Sequence, residues 1–89
     1  MTHELKVHSQ FWQAIRNGSK PFDVRINDRK FNVGDTCRLR EYDPSFGYKG
    51  DYYELRITYI MAHEDFPLGV QRGYVVLGFG LHPMQDDGK

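Results

Sequence analysis

The sequence predicts a mostly-β domain of the α+β class: a small β-barrel of five to six short strands with one short N-terminal helix. Three observations predict it. Apolar and polar residues alternate singly through most of the chain, which is the period of a half-buried strand. Helical spacing is clear only in "SQFWQAIRNG". Gly78 and Gly80 interrupt the last apolar run, as the bends of a tight barrel require. Short strands expose unpaired edges, and curling the sheet into a barrel removes them.

The elements follow in order. "HELKV" alternates weakly and reads as a first strand. In the helix, Ser9 is the expected N-cap, Phe11, Trp12 and Ile15 share a side, Arg16 suits the C-terminal end and Gly18 the left-handed stop. Two turns of helix are too few to be stable without packing. Lys20 precedes Pro21 and is extended. Phe22, Val24 and Ile26 then face one way, expected inward, and Asp23, Arg25 and Asn27 the other. "NDRK" is a polar turn, and Gly34-Asp35 in "FNVGD" is another. In "TCRLREY" Cys37 and Leu39 point inward, Arg38 and Arg40 outward. "DPSFGYKGD" is a turn-rich hairpin connection. "YYELRITYIM" is the clearest strand, with Tyr53, Leu55, Ile57, Tyr59 and Met61 on one face and Glu54, Arg56 and Thr58 on the other. "HEDFPLGVQRG" is a loop or a single helical turn. "YVVLGFGL" is apolar on both sides, as a strand that is central or closed over would be. We read residues 1–81 as one domain and residues 82–89 as a flexible tail.

Composition bounds the function. A chain of 89 residues is one small domain. Lys plus Arg and Asp plus Glu are 12 each, so only a local basic patch would bind nucleic acid. A lone cysteine, Cys37, excludes an internal disulfide and fits a reducing, cytoplasmic setting. No apolar run is long enough for a membrane-spanning helix, and "MTHELKVHSQ" lacks an apolar signal core.

The charge is densest in "NGSKPFDVRINDRKFNVGD", residues 17–35, with four cations and three carboxylates. Side chains two apart on a strand stand about 7 Å apart on one face. Asp23 and Arg25 therefore share a field, with Asn27 next and Lys20, Asp28, Arg29 and Lys30 close by. The plain reading is a solvated face whose ion pairs contribute about 0–1 kcal/mol. The functional reading is a ligand cleft. There Arg25 and Arg29 hold phosphate or a base edge with planar forks, and Asp23 accepts from an amino group.

The string "GSKPFDVR" resembles the G-x-K-x-x-[T/E/D]-x-R signature of ASCH domains in the PUA-like superfamily. Residues 3 to about 79, including "NDRKFNVGD", are similar to a bacterial and phage subfamily of single-domain ASCH-like proteins. Gly18, Lys20, Asp23 and Arg25 match the signature; Asn27, Asp28 and Arg29 match the subfamily's "NDR". The resemblance implies a small β-barrel with a helix beside it and a signature-lined cleft that faces RNA or a nucleotide. Some ASCH proteins hydrolyse the amide of N4-acetylated cytidine nucleosides. In that chemistry Lys20 would match the catalytic lysine, with Asp23 standing where those enzymes carry threonine.

The remaining candidates each have a plainer reading. His3, His8 and His63 match no metal-ligand spacing, so no metal is expected, and no cofactor. Cys37 lies on an apolar strand face and reads as core. Trp12 reads as the helix's core anchor. Tyr52, Tyr53, Tyr59 and Tyr74 would serve either as barrel lining or as a base-stacking platform. Arg38, Arg40 and Arg56 would track phosphates, or pair across strands with Glu41 and Glu54.

The expected function is an RNA- or nucleotide-binding module whose cleft holds Lys20, Asp23, Arg25, Asn27, Asp28 and Arg29. One alternative is an amidohydrolase on N4-acylated cytidine nucleosides using Lys20 and Asp23. Another is a protein-interaction module without nucleic-acid binding.

Overall fold

One 16-residue strand, β4 (Gly47–Ala62), sets the architecture of the computed structural model, which describes residues 1–80. The other elements are β1 (Thr2–His8), α1 (Ser9–Arg16), β2 (Phe22–Ile26), β3 (Thr36–Asp43), a single 3-10 turn at His63–Asp65 and β5 (Tyr74–Phe79). The expected tail, residues 82–89, lies outside the described residues.

The strands form one five-stranded mixed sheet in the order β1-β3-β4-β5-β2. β1 runs parallel to β3, and the other neighbours are antiparallel. β4 is shared: its first part pairs with β3 as far as Arg56, and from Ile57 onward it pairs with β5. A register shift between Ile57 and Tyr59 marks the changeover. Such an irregularity bends a strand and strengthens its twist. Gly78 lies opposite Tyr59, where an added Cβ would stand 3.4 Å from the tyrosine Cβ. The two outer strands, β1 and β2, border a seam that Arg25 of β2 bridges to Lys6 O of β1, with no backbone ladder between them among the described residues.

The core is the inner lining of this curled sheet, closed at one side by the helix. Leu5, Val7, Cys37, Leu39, Leu55, Ile57, Val75, Leu77 and Phe79 come from the strands, Trp12 and Ile15 from α1, and Phe31 from the loop before β3. β5 is central and apolar on both faces, as its sequence predicts. The helix ends as expected: Gly18 takes a φ of 86°, and its N–H donates to Ile15 O.

The structure corrects four expectations. Ser9 does not cap α1; the N-cap position falls to His8, and the Ser9 hydroxyl is buried without a protein partner among the described residues. Phe11 is exposed rather than packed with Trp12 and Ile15. In β4 the bulge advances the register, so Ile60 and Ala62 pack on the core while Tyr59 is 66% exposed. The largest difference is β2. Phe22, Val24 and Ile26 are exposed, whereas Asp23 is buried at 9% exposure. The pairing of Asp23 with Leu77 and of Arg25 with Val75 puts the charged pair on the inner face. Alternation shows which residues share a face, not which face looks inward, and here ion pairing decides.

A buried polar contact ties the chain's start to the core. His3 Nε2 and Asp35 Oδ2 are 2.8 Å apart, and the same carboxylate oxygen accepts from Asn32 N–H at 3.0 Å. The His3 ring meets Phe31 edge-on at 4.7 Å. The hydrogen bond to His3, then that from Asn32, holds the Asp35 carboxyl below its usual range. A depressed carboxyl stabilises the fold above its unfolded-state value of about 4, and that stability is lost as pH falls through the folded value. Asp35→Asn should lower stability at neutral pH and flatten the acid loss. Denaturant melts of both proteins at neutral pH and near pH 3 check this, and equal acid sensitivity would contradict it.

Burial pushes the Cys37 thiol up to about 12. Little thiolate exists at neutral pH, so a disulfide reagent should react only after unfolding. Stoichiometric thiol release from native protein within minutes would contradict the placement.

Candidate functional site

The site begins where α1 stops. Asn17 Oδ1 accepts from Ser19 N–H (2.9 Å) and from the Ser19 hydroxyl (2.8 Å), and Lys20 N–H donates to Ala14 O at 3.0 Å. This turn delivers the chain to Pro21, whose carbonyl accepts from Phe79 N–H at 2.9 Å and fixes the phase of β2 on β5. That phase aims Asp23 and Arg25 inward.

Asp23 is the hub. Lys20 Nζ donates to its Oδ1 at 3.2 Å, and Arg25 Nη1 donates to its Oδ2 at 2.7 Å. Lys20 also donates to Phe22 O at 3.1 Å, with its ammonium 5.0 and 4.9 Å from the Phe11 and Phe22 ring centroids. Arg25 Nη1 reaches across the seam to Lys6 O at 3.0 Å. One carboxylate therefore orients two cations, one of which links β2 to β1. A second link lies beyond it. Arg29 Nε donates to Asp28 Oδ1 at 3.1 Å, and Arg29 Nη1 lies 3.5 Å from Glu4 O. The hydrogen bond from Arg29 holds the Asp28 carboxyl below its usual range.

Between β1 and β2 lies a cleft of about 370 Å³. This is within the roughly 300–1,000 Å³ of small-ligand pockets. Lys6 and His8 form the β1 wall, Asp23 and Arg25 the β2 wall, Asp28 and Arg29 the rim, with Phe11 and Tyr74 at the sides. Three Lys and Arg cations face two carboxylates there. Both Arg25 hydrogen bonds leave from Nη1; its Nε and Nη2 take no acceptor among the described residues.

Of the residues singled out from sequence, Asp23, Arg25, Asp28, Arg29 and Tyr74 meet at this cleft. Lys20 stands behind Asp23, outside the cleft wall. Asn27 is exposed, and its N–H donates to Gly73 O at 2.8 Å. Trp12 and Cys37 are core, as expected. His3 is spent on Asp35, and His63 Nδ1 lies 2.6 Å from Val70 O. Among the described residues, no cluster of three or more His, Cys, Asp and Glu could hold a metal ion, and no helix is long and apolar enough to cross a membrane. Sequence reasoning missed Lys6 and His8 as cleft residues. They occupy the polar alternates of β1, but no local signal says that β1 lies opposite β2.

Removing the hub carboxylate would leave two cations crowded together. Asp23→Asn should cost about 2 kcal/mol, a buried-pair value reduced because both cations remain partly exposed. Arg25→Gln added to Asp23→Asn should then cost less than Arg25→Gln alone. A thermodynamic cycle from urea melts checks this, and additive costs would contradict the coupling.

A family described as Domain of unknown function (DUF3850) has a model that matches residues 2–79. The chain is also 31% identical, over 64 residues, to "Uncharacterized 12.9 kDa protein in GpA 3'region" of Escherichia phage P2. That alignment covers 72% of this chain and 58% of the phage protein. The chain thus spans less than two thirds of the phage protein's length.

Proposed function

This chain belongs to the Domain of unknown function (DUF3850) family, and we propose that its seam cleft binds RNA or a nucleotide. On this reading the curled sheet is a PUA-like barrel of the ASCH type, and the charged strand is its ligand-binding signature. The observation that carries the reading is the pair of arginines held across an open seam. Arg25 and Arg29 are each fixed by a carboxylate, Asp23 at 2.7 Å and Asp28 at 3.1 Å, so their remaining donors are pre-oriented. A planar guanidinium held this way recognises phosphate or a base edge without first ordering its side chain.

The roles divide by position. Lys6, Arg25 and Arg29 supply positive charge to a phosphate. Asp28, half-exposed on the rim, accepts from a base amino group. Asp23 already receives a donor on each oxygen, so its main role is to position Arg25. Lys20 locks Asp23 from behind. Tyr74 and Phe11 offer ring surface at the sides of the cleft.

The reading predicts salt-dependent binding. For a single strand, log affinity should fall with log salt at a slope of about −0.7 per phosphate neutralised. Arg29→Ala should weaken binding of a short mixed-sequence RNA and make the slope shallower by about 0.7, the value of one phosphate. Isothermal titration at several salt concentrations measures both. A native protein that binds neither RNA nor mononucleotide at low salt, or an Arg29→Ala variant that binds as the native does, would overturn the reading.

A further inference from the structure

We propose that the ligand is an unpaired nucleic-acid strand, and that it continues from the seam cleft over the outer face of β1, β3 and the part of β4 that pairs with β3. This rests on the cleft reading and extends it from a single nucleotide to a path.

The strand registers place a cationic and aromatic grid on that face. Lys6 pairs with Arg40, and Arg40 with Tyr52; His8 pairs with Tyr42, and Tyr42 with Tyr48. On β1 and β3 the two rows lie about 7 Å apart, the spacing of alternate residues on a strand; on β4, Tyr52 and Tyr48 are four residues apart, across the register shift between Arg40 and Tyr42. Each ring is backed by a cation: Lys6 Nζ is 4.4 Å from the Tyr42 centroid, Arg40 Cζ is 4.2 Å from Tyr48 and Arg38 Cζ is 4.8 Å from Tyr52. Tyr42 and Tyr48 meet edge-on at 5.2 Å.

The charge on this face is unequal. Lys6, Arg38, Arg40 and Arg56 stand against Glu4 and Glu54, a ratio of four to two on a chain whose totals are equal. Cross-strand pairing accounts for part of this, since Arg38 meets Glu54 at 2.7 Å. Arg40 lies only loosely against Glu4, at 3.9 Å. Pairing does not account for the tyrosines. Tyr48 and Tyr52 keep 49% and 56% of their surface in solvent.

Flat rings interleaved with cations suit a ligand that alternates bases with phosphates. A duplex hides its base faces in its own stack, so only an unpaired strand can use the rings. Lys6 joins the two regions: it lines the cleft and also sits on the Tyr42 ring.

The test uses the full chain with two probes, a labelled oligouridylate of about eight nucleotides and uridine monophosphate. Tyr48→Ala and Tyr52→Ala should each weaken oligonucleotide binding by about five- to 150-fold, the range of one lost base stack. Mononucleotide binding should not change. Tyr52→Phe, which keeps the ring, should restore most of the loss, separating stacking from a folding defect. If the tyrosine variants bind the oligonucleotide as the native protein does, while Arg29→Ala weakens both probes, the path is wrong and the cleft reading stands. If a duplex of the same length binds as tightly as the single strand, the path is also wrong. If neither probe binds the native protein, both readings fall.

Discussion

The structure turns on one carboxylate. Asp23 lies on the inner face of an edge strand with a cation on each oxygen, Lys20 at 3.2 Å and Arg25 at 2.7 Å. A buried anion without such partners would be expelled to water or neutralised. With them, it turns the charged side of β2 inward and leaves Phe22, Val24 and Ile26 outside. It also aims Arg25 at Lys6 O, so the two outer strands are linked by a side chain instead of by a backbone ladder. A ladder would have closed the sheet and removed the cleft. A side-chain link holds the edges together while leaving room between them.

The rest of the fold supports that arrangement from a distance. β4 serves both halves of the sheet, and its bulge at Ile57–Tyr59 carries the bend that returns β2 towards β1. The His3–Asp35 contact fixes the beginning of β1 against the turn that precedes β3. Lys6 and Glu4, whose carbonyls receive the two arginines, lie on the strand so anchored. The seam is thus bordered by one strand tied into the core at its start and another phased by Pro21 on β5.

Much of this was legible in the sequence. Trp12 and Ile15 announced the buried side of α1, Gly18 its end, and the two-sided apolar run at 74–79 the central place of β5. The alternation of β2 was legible too, because it depends only on strand period. Its inward face was not, because that depends on two donors, at Lys20 and Arg25, outweighing three apolar side chains. The swap of Tyr59 for Ile60 was hidden for a similar reason: a bulge shifts the period by one residue without a local signal. The cleft was half legible. Asp23, Arg25, Asp28 and Arg29 cluster in sequence, whereas Lys6 and His8 join them only through the order β1-β3-β4-β5-β2.

The most direct test of the central claim observes the Arg25 side chain itself. Nitrogen-resolved NMR of the guanidinium group, in native protein and in Asp23→Asn, reports whether its N–H groups are held. The account predicts separate, slowly exchanging Arg25 signals in the native protein. In Asp23→Asn these should collapse to an averaged signal, with shifts at Lys6 and its neighbour Val7 across the seam. An Arg25 already averaged in the native protein, like an exposed arginine, would contradict it.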